Sequence, residues 1–470
     1  MREGEQLKIG GKIRRLRRQR HITQADLAAA LGISPSYLNL IEHNRRNVNV
    51  SLLLTIAGYF GIEAGELAES DDARLAGDLM EVFGDEAFAD EDLTNQDIRE
   101  FARTNPAVAR TVLRLFDRYR DYRERGQVGM NTETAERVFH RATDAISDFL
   151  QEHANHFPEI EAEAERVRHD IDNSSEVFEI GFRTWLLNVF GMEWRYVSLP
   201  HGVALRLGEH GRMLEVSDLL SAESALFAVA HHIAHMVADT AINGIVNVRF
   251  TEDSDAPALA RNVMASYFAA ALIMPYQPFL KACRETRYDI ERLMRRFSAS
   301  FEQVCHRMTT LQRPGSQGIP LHLIRTDIAG NISKRFSLSG IHIPRHAGAC
   351  PRWNVHAAFL QPGQINVQVS RMPNGDTFFC IARAFEKGGH RYASVRRHMS
   401  IGLGCDIAFA RQMVYADGVD LSNEALGVPV GVSCRICPRM DCEQRAHPPA
   451  NHRFHIDDGL RAESIYGHMR

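Results

Sequence analysis

The sequence predicts a multidomain chain of the α plus α/β class. It comprises an all-α N-terminal domain, a helical middle, an α+β domain and an α+β C-terminal domain carrying a cysteine cluster. Three observations predict this. Capped, helically periodic segments fill the first seventy residues and most of 98–170. Short strand-like runs and apolar helices alternate after Phe178. Beyond Ser333 the pattern turns β-rich and closes on three cysteines, spaced three and five apart. These changes of texture place the boundaries at 1–70, 71–175, 176–330 and 331–470.

The chain has 470 residues, 44% hydrophobic and 24% charged, so a core needs no disulfide staples. Eight cysteines in such a chain do not suggest a disulfide framework; where they cluster, metal or redox chemistry is the better reading. Met1 to Arg20 is polar and basic rather than an apolar leader. No apolar run is expected to reach the ~18 residues of a membrane span; the longest candidate lies around Tyr267 to Met274. A cytoplasmic protein with no membrane partner follows. Net charge is −4, but ten Lys and Arg sit in the first 46 residues against Glu3, Glu5, Asp26 and Glu42. The stretch from Glu63 to Asp97 is acidic. A basic head on an acidic chain suggests a polyanion held by the head alone.

Lys8 to Arg20 reads as a basic amphipathic helix. Thr23 caps a second helix, Gln24 to Leu31, and Gly32 allows a tight turn. Ser34 caps a third helix with Pro35 at its first position, and a fourth runs from Ser51 to Phe60. Two short helices about a Gly turn form a helix-turn-helix. Thr23 to Ala28, Leu31 to Ser34 and Ile41-Glu42 resemble the phage-repressor and Cro-like (XRE) family. The resemblance implies that Gln24 reaches phosphate and that Ser34, Ser36, Tyr37 and Asn39 face base edges or nearby phosphates of a double-stranded DNA operator. Arg45 and Arg46 would grip the backbone, adding affinity without sequence information.

A helix is expected around Leu75 to Phe83. Another is expected from Ile98 to Arg125, with Phe101, Val108, Val112, Leu115 and Phe116 on one face. Thr132 to Phe157 and Glu159 to Asp170 continue the helical pattern, as a homodimer interface or as a packed spacer.

Phe182 to Leu187 reads as helix, followed by strands at Glu193–Leu199, Val203–Leu207 and Met213–Glu215. The helix from Ser221 to Asp239 carries His231 and His235, four apart and so on one face, as two zinc ligands must be. Phe178 to Phe279 is similar to the ImmA/IrrE metallopeptidase-like (zincin-like) family, including the helix Ala265 to Pro275. Where that family has the general-base Glu, this chain has His232; at its third ligand stands Asn262. The domain therefore reads as degenerate and non-enzymatic, its cleft retained as an effector pocket.

Strands are expected at Phe336–Leu338, Ile365–Ser370, Thr377–Arg383 and Arg391–Ser400, with a turn at Gly375 and a helix from Ile401 to Tyr415. Cys434, Cys437 and Cys442 make a metal or cluster site, for which Cys405 is the best fourth ligand; both zinc and iron–sulfur centres use a Cys-x-x-Cys turn. His447 could substitute on zinc, and Cys350 is a spare thiol. Cys283, Cys305 and Cys380 read as structural.

Nearly the whole chain resembles the short-chain fatty acyl transcriptional regulators. The tail match runs through Cys350 to His356, Gly404-Cys405, Tyr415 to Gly418 and Cys434 to Pro449, with Arg352 and His447 as departures. The resemblance implies control of acetate or propionate metabolism genes by a short-chain acyl-CoA such as propionyl-CoA. It also favours a [4Fe–4S] cluster on Cys405, Cys434, Cys437 and Cys442 over zinc. Arg183, Trp185, Arg195, Arg206, Arg261 and Tyr267 are the expected effector contacts. The alternatives are an iron–sulfur redox-sensing regulator and a zinc metallopeptidase-type stress regulator.

Overall fold

Side-chain caps set where the first helices begin. The computed structural model describes residues 22–42, 50–60, 72–85, 93–127, 133–208, 211–250, 255–345, 348–388 and 396–448, with a few single positions besides. Thr23 Oγ1 accepts the Asp26 amide to open α1 (Gln24–Ala30). Ser34 Oγ accepts the Tyr37 amide to open α2 (Pro35–Glu42). Gly32 between them holds φ at 67°, a region open to glycine at no steric cost. Helix α3 (Val50–Phe60) completes a core of Ile13, Leu27, Ala28, Leu38, Ile41, Ile56 and Phe60. Arg45 and most of Lys8 to Arg20 lie outside the described residues.

The chain forms two units, 1–79 with 95–112, and 80–94 with 113–470. Helix α4 (Asp72–Phe83) runs from the first into the second. The helix expected over 98–125 is two, α5 (Asn95–Thr104) and α6 (Pro106–Gln127). Pro106 supplies no amide and disfavours helical geometry at Asn105, which stops α5. The anticipated apolar face holds in part: Phe116 is buried and Phe101 and Val112 are half-buried, but Val108 and Leu115 are 53% and 66% exposed, and Ala109 is buried instead.

In the second unit, α7 (Glu133–Glu152), α8 (Pro158–Asp172) and α9 (Phe178–Phe190) precede a small sheet. Strand β1 (Glu193–Val197) pairs in parallel with β3 (Met213–Ser217), and β2 (Leu205–Leu207) pairs antiparallel with β3. Then follow α10 (Ala222–Val237), α11 (Asp239–Arg249), α12 (Ala256–Ile273), α13 (Tyr276–Glu285), α14 (Ile290–Phe297) and α15 (Phe301–Thr309). By length and mean hydropathy (1.2) α12 could cross a membrane, but 67% of it is buried in the fold. It packs on α8 and α10 as the core helix, which explains its apolar surface all round.

The C-terminal sheet has the order β5-β4-β8-β7-β6-β9. Its strands are β4 (Leu321–Asp327), β5 (Ile332–Ser337), β6 (Asn366–Arg371), β7 (Thr377–Lys387), β8 (Arg397–Asp406) and β9 (Val428–Pro429). Because β4 pairs with both β5 and β8, a boundary at residue 330 would cut this sheet. The helix expected from Ile401 to Tyr415 is instead the end of β8 followed by short 3-10 turns. Ile401, Leu403 and Cys405 face the helical core, while Gly402 and Gly404 leave room on the other face. A Cβ on Gly402 would stand 2.5 Å from Val355 Cγ1, and one on Gly404 2.5 Å from His322 Cε1. The opposite face packs on Trp353, Val355 and Ala358, around α16 (Asn354–Ala357).

Candidate functional site

The helix-turn-helix is tied together by one buried carboxylate. Glu42, 3% exposed, accepts Arg17 Nε at 2.6 Å and Nη2 at 3.0 Å, and Gln24 Nε2 at 2.9 Å. Gln24 Nε2 also reaches Asn39 Oδ1 at 3.3 Å. Gln24, expected to reach phosphate, thus stands at the junction of α1 and α2. Ser34 serves as the α2 cap, with Ser36 Oγ 3.3 Å away. Ser36, Asn39 and Arg46 are exposed and Tyr37 is half-buried. The sequence shows Arg17 and Glu42 only as opposing charges of the basic head; their pairing needs the fold.

In the second unit α10 presents His231 and His235 side by side, ring centroids 5.4 Å apart. His231 Nε2 lies 3.2 Å from the Asn262 carbonyl oxygen on α12. Burial holds the His231 and His232 imidazoles below their usual pKa, so they are neutral at pH 7. Neither helix offers a carboxylate beside them: α12 has none, and the acid of α10, Glu223, sits in its first turn. Among the described residues of these two helices, no carboxylate stands beside the histidines to serve as general base.

These histidines open onto a cavity of 3280 Å³ between the helices and the large sheet. Its described lining carries ten arginines and two lysines against five carboxylates. That excess stands out in a chain of net charge −4. Phe227, Leu259, Val263 and Ala270 supply an apolar wall. Tyr267 and Arg307 reach it from a buried network: Tyr267 Oη donates to Glu161 Oε1 at 2.7 Å, and Arg307 donates to both Glu161 oxygens at 2.6 and 2.9 Å. Of the six expected effector contacts, Tyr267 lines the cavity and the other five do not. Trp185 is buried in the core; Arg183 lies over the Trp194 ring at 3.9 Å. Arg195 and Arg206 are paired with Glu215 on the small sheet. Arg261, on α12, is half-buried and does not line the cavity. Arg325, Lys334, Arg383 and Lys387, which do line it, were missed; Arg383 and Lys387, four apart and so on one face of a strand, were the available signal.

The cysteines also regroup. Cys405 is fully buried on β8, its Sγ 3.8 Å from Met413 Sδ, and is not part of the tail cluster. Cys350 instead joins Cys434, Cys437 and Cys442 around one small cavity. The Cys350 amide donates to the Val432 carbonyl, which tethers it there. A Cβ on Gly431 would meet Cys437 Sγ at 2.7 Å, so glycine makes space for that sulfur. Arg445, 6% exposed, donates to the carbonyls of Cys434 and Cys437 and fixes the loop. The Ala446 amide donates to Cys434 Sγ at 3.4 Å. Burial raises the Cys350 and Cys437 thiols. Among the described residues, no three His, Cys, Asp or Glu side chains converge closely enough to hold a metal ion as they stand. Cys283, Cys305 and Cys380 are buried.

Comparison with known proteins covers all these parts. Residues 13–67 match the family described as helix-turn-helix, 190–309 the IrrE N-terminal-like domain, and 310–466 the short-chain fatty acyl coenzyme A regulator, C-terminal. The chain is 35% identical over 462 residues to the HTH-type transcriptional regulator PrpR of Mycobacterium tuberculosis, covering 97% of this chain and 95% of that protein. It is 35% identical over 460 residues to the propionyl-CoA carboxylase regulator of Cereibacter sphaeroides, covering 97% and 98%. A solved structure of a Mycobacterium tuberculosis transcriptional regulator superposes with a TM-score of 0.66 at 35% identity, covering 70% of this chain and 99% of that one.

Proposed function

The chain belongs to the short-chain fatty acyl coenzyme A regulators, and from that premise we propose that it binds operator DNA through its head and a short-chain acyl-CoA in the cavity of its second unit, so controlling acetate or propionate metabolism genes. The observation that carries the effector reading is the cationic lining beside an apolar wall. A coenzyme A thioester offers phosphates to the first and a short alkyl chain to the second. In the head, Ser34, Ser36, Tyr37 and Asn39 address the major groove, while Gln24, Arg45 and Arg46 hold phosphate. The effector acts if it binds the DNA-competent and incompetent states with different affinity. The full chain works as a homodimer on two half-sites.

For the thiol site, the donor set supports Cys350, Cys434, Cys437 and Cys442 as the holders of a [4Fe–4S] cluster, with zinc as the alternative. Such a group would cross-link the tail to the loop before α16. Gly431 leaves room at Cys437, and Arg445 and the Ala446 amide position the loop.

The test is operator binding by fluorescence anisotropy, using DNA selected from the host genome, with and without propionyl-CoA. A shift of operator affinity of at least about fivefold supports the reading. Saturable propionyl-CoA binding with no shift removes the regulatory role, and no binding removes the effector.

A further inference from the structure

The register of the large sheet aligns its basic residues. Lys334 on β5 pairs with Arg325 on β4, and Arg325 pairs with Ile401 on β8. Ile401 in turn pairs with Arg383 on β7. Directly paired residues share a face, so Lys334, Arg325 and Arg383 lie in one row across four strands. Lys387 is four residues beyond Arg383 and on the same face. Toward the other end that face is apolar, with Leu323, Leu403 and Ile381 in the core beneath the helices. The face therefore grades from hydrocarbon to cation along its length, and the cationic end lines the cavity.

One carboxylate stands among these cations. Glu302, in the first turn of α15, accepts Arg325 and Lys387, the latter at 2.9 Å, and has Lys334 Nζ at 3.6 Å. His306 is 4.0 Å from it, and burial keeps that imidazole neutral. Three cations on one carboxylate leave positive charge over. Arg383 adds more: its Nε and Nη1 are buried and make no hydrogen bond, and the nearest carboxylate, Glu291, is 3.7 Å away and 61% exposed. Buried guanidinium N–H groups without acceptors are unusual and imply a missing acceptor. A phosphate has the oxygens to serve several of these donors at once.

We propose that the row Lys334, Arg325 and Arg383, with Lys387 and the Glu302 hub, seats the phosphate groups of a nucleotide-bearing thioester, leaving its acyl end toward the apolar wall of the same cavity. Glu302 holds Arg325 and Lys387 in place before the ligand arrives, so their side-chain entropy is already lost. This rests on the acyl-CoA reading above and says which end of that ligand lies where.

The experiment is titration calorimetry of the full-length protein with propionyl-CoA and, separately, with adenosine 3′,5′-bisphosphate, which lacks the thioester. Lys334 and Lys387 are 45% and 51% accessible, so shortening them spares the core. Lys334→Gln, Lys387→Gln and Arg383→Gln should each weaken both ligands by about tenfold, and Lys387→Arg should restore most of the loss. Thermal melts confirm folding. If wild type binds propionyl-CoA and the variants bind it unchanged, the phosphate seat is wrong and the acyl-CoA reading stands. If wild type binds only the bisphosphate, and the variants lose it, the seat stands and the acyl-CoA reading falls. Binding of neither ligand overturns both.

Discussion

Arg307 has no exposed side-chain surface, and Glu161 has 1%; their bidentate contact sits between α8, α12 and α15. Arg307 Nε also donates to the Met274 carbonyl at 2.9 Å, where α12 ends. Removing one partner leaves the other charge buried, so Arg307→Met should cost about 3–5 kcal/mol in urea unfolding. Adding Glu161→Leu should return part of that loss. Burial alone would raise the Glu161 pKa, but Arg307 outweighs it and holds the carboxyl below the usual range. A depressed folded pKa means the pair's stability is present at neutral pH and is lost as pH falls below the unfolded carboxyl value of about 4.3. Wild type should therefore lose stability on acidification through that window, and the double variant should lose less. A second titration concerns ligand. Although 45% of the Lys334 side chain is accessible, its ammonium is crowded by packed neighbours, and that loss of water, with Arg325 and Lys387 nearby, pushes it down to about 8 despite Glu302. Bisphosphate affinity should fall as pH rises from 7 to 9, since the phosphate is fully ionised there and the lysine is not. Lys334→Gln should flatten that dependence; a slope unchanged in the variant would assign it to another group.

At the scale of elements, the end of α4 meets the cysteine loop. A Cβ on Gly84 would stand 2.7 Å from Ile436 Cγ2, between the two cysteines of the Cys-x-x-Cys turn. Glu81 Oε2 accepts the Arg345 amide nearby at 2.9 Å. Gly84→Val should displace that turn, making Cys434 and Cys437 react faster with a thiol reagent at no more than about 3 kcal/mol of stability. Unchanged labelling would show that the turn tolerates the branch. The caps and turn of the head were legible because they are local: Thr23, Gly32 and Ser34 act within four residues. The His231–His235 face was legible for the same reason. Cys350 was not, because 84 residues separate it from Cys434 and only the fold brings them together. The end of β8 was misread as helix although Gly402 and Gly404, two apart in an apolar run, carry the strand's period. Buried strands and short helices share apolar runs, and here tertiary packing against Val355 and His322 decides.

Over the whole molecule, an acidic chain carries a head that is basic in sequence and a cavity with a cationic lining, and each is read above as the seat of a polyanion. Thermodynamic linkage makes their relation measurable without knowing the path between them. If propionyl-CoA changes operator affinity by some factor, operator DNA must change propionyl-CoA affinity by the same factor. For a coupling of about 1–3 kcal/mol that factor is about 5–150. Measured by anisotropy in one direction and calorimetry in the other, at one salt concentration, the two values should agree. Salt must be fixed because operator binding weakens by about 0.9 log units per DNA phosphate neutralised for each tenfold rise in salt, whereas a largely enclosed phosphate seat is screened less. Lys387→Gln should weaken propionyl-CoA while leaving effector-free operator affinity unchanged, since it touches only the cavity. A coupling factor that is the same in the variant as in wild type would place the effect of Lys387 in ligand affinity alone. Disagreement between the two directions in either protein would mean that ligand or DNA also changes the number of chains in the complex, and sedimentation of the same samples would show it.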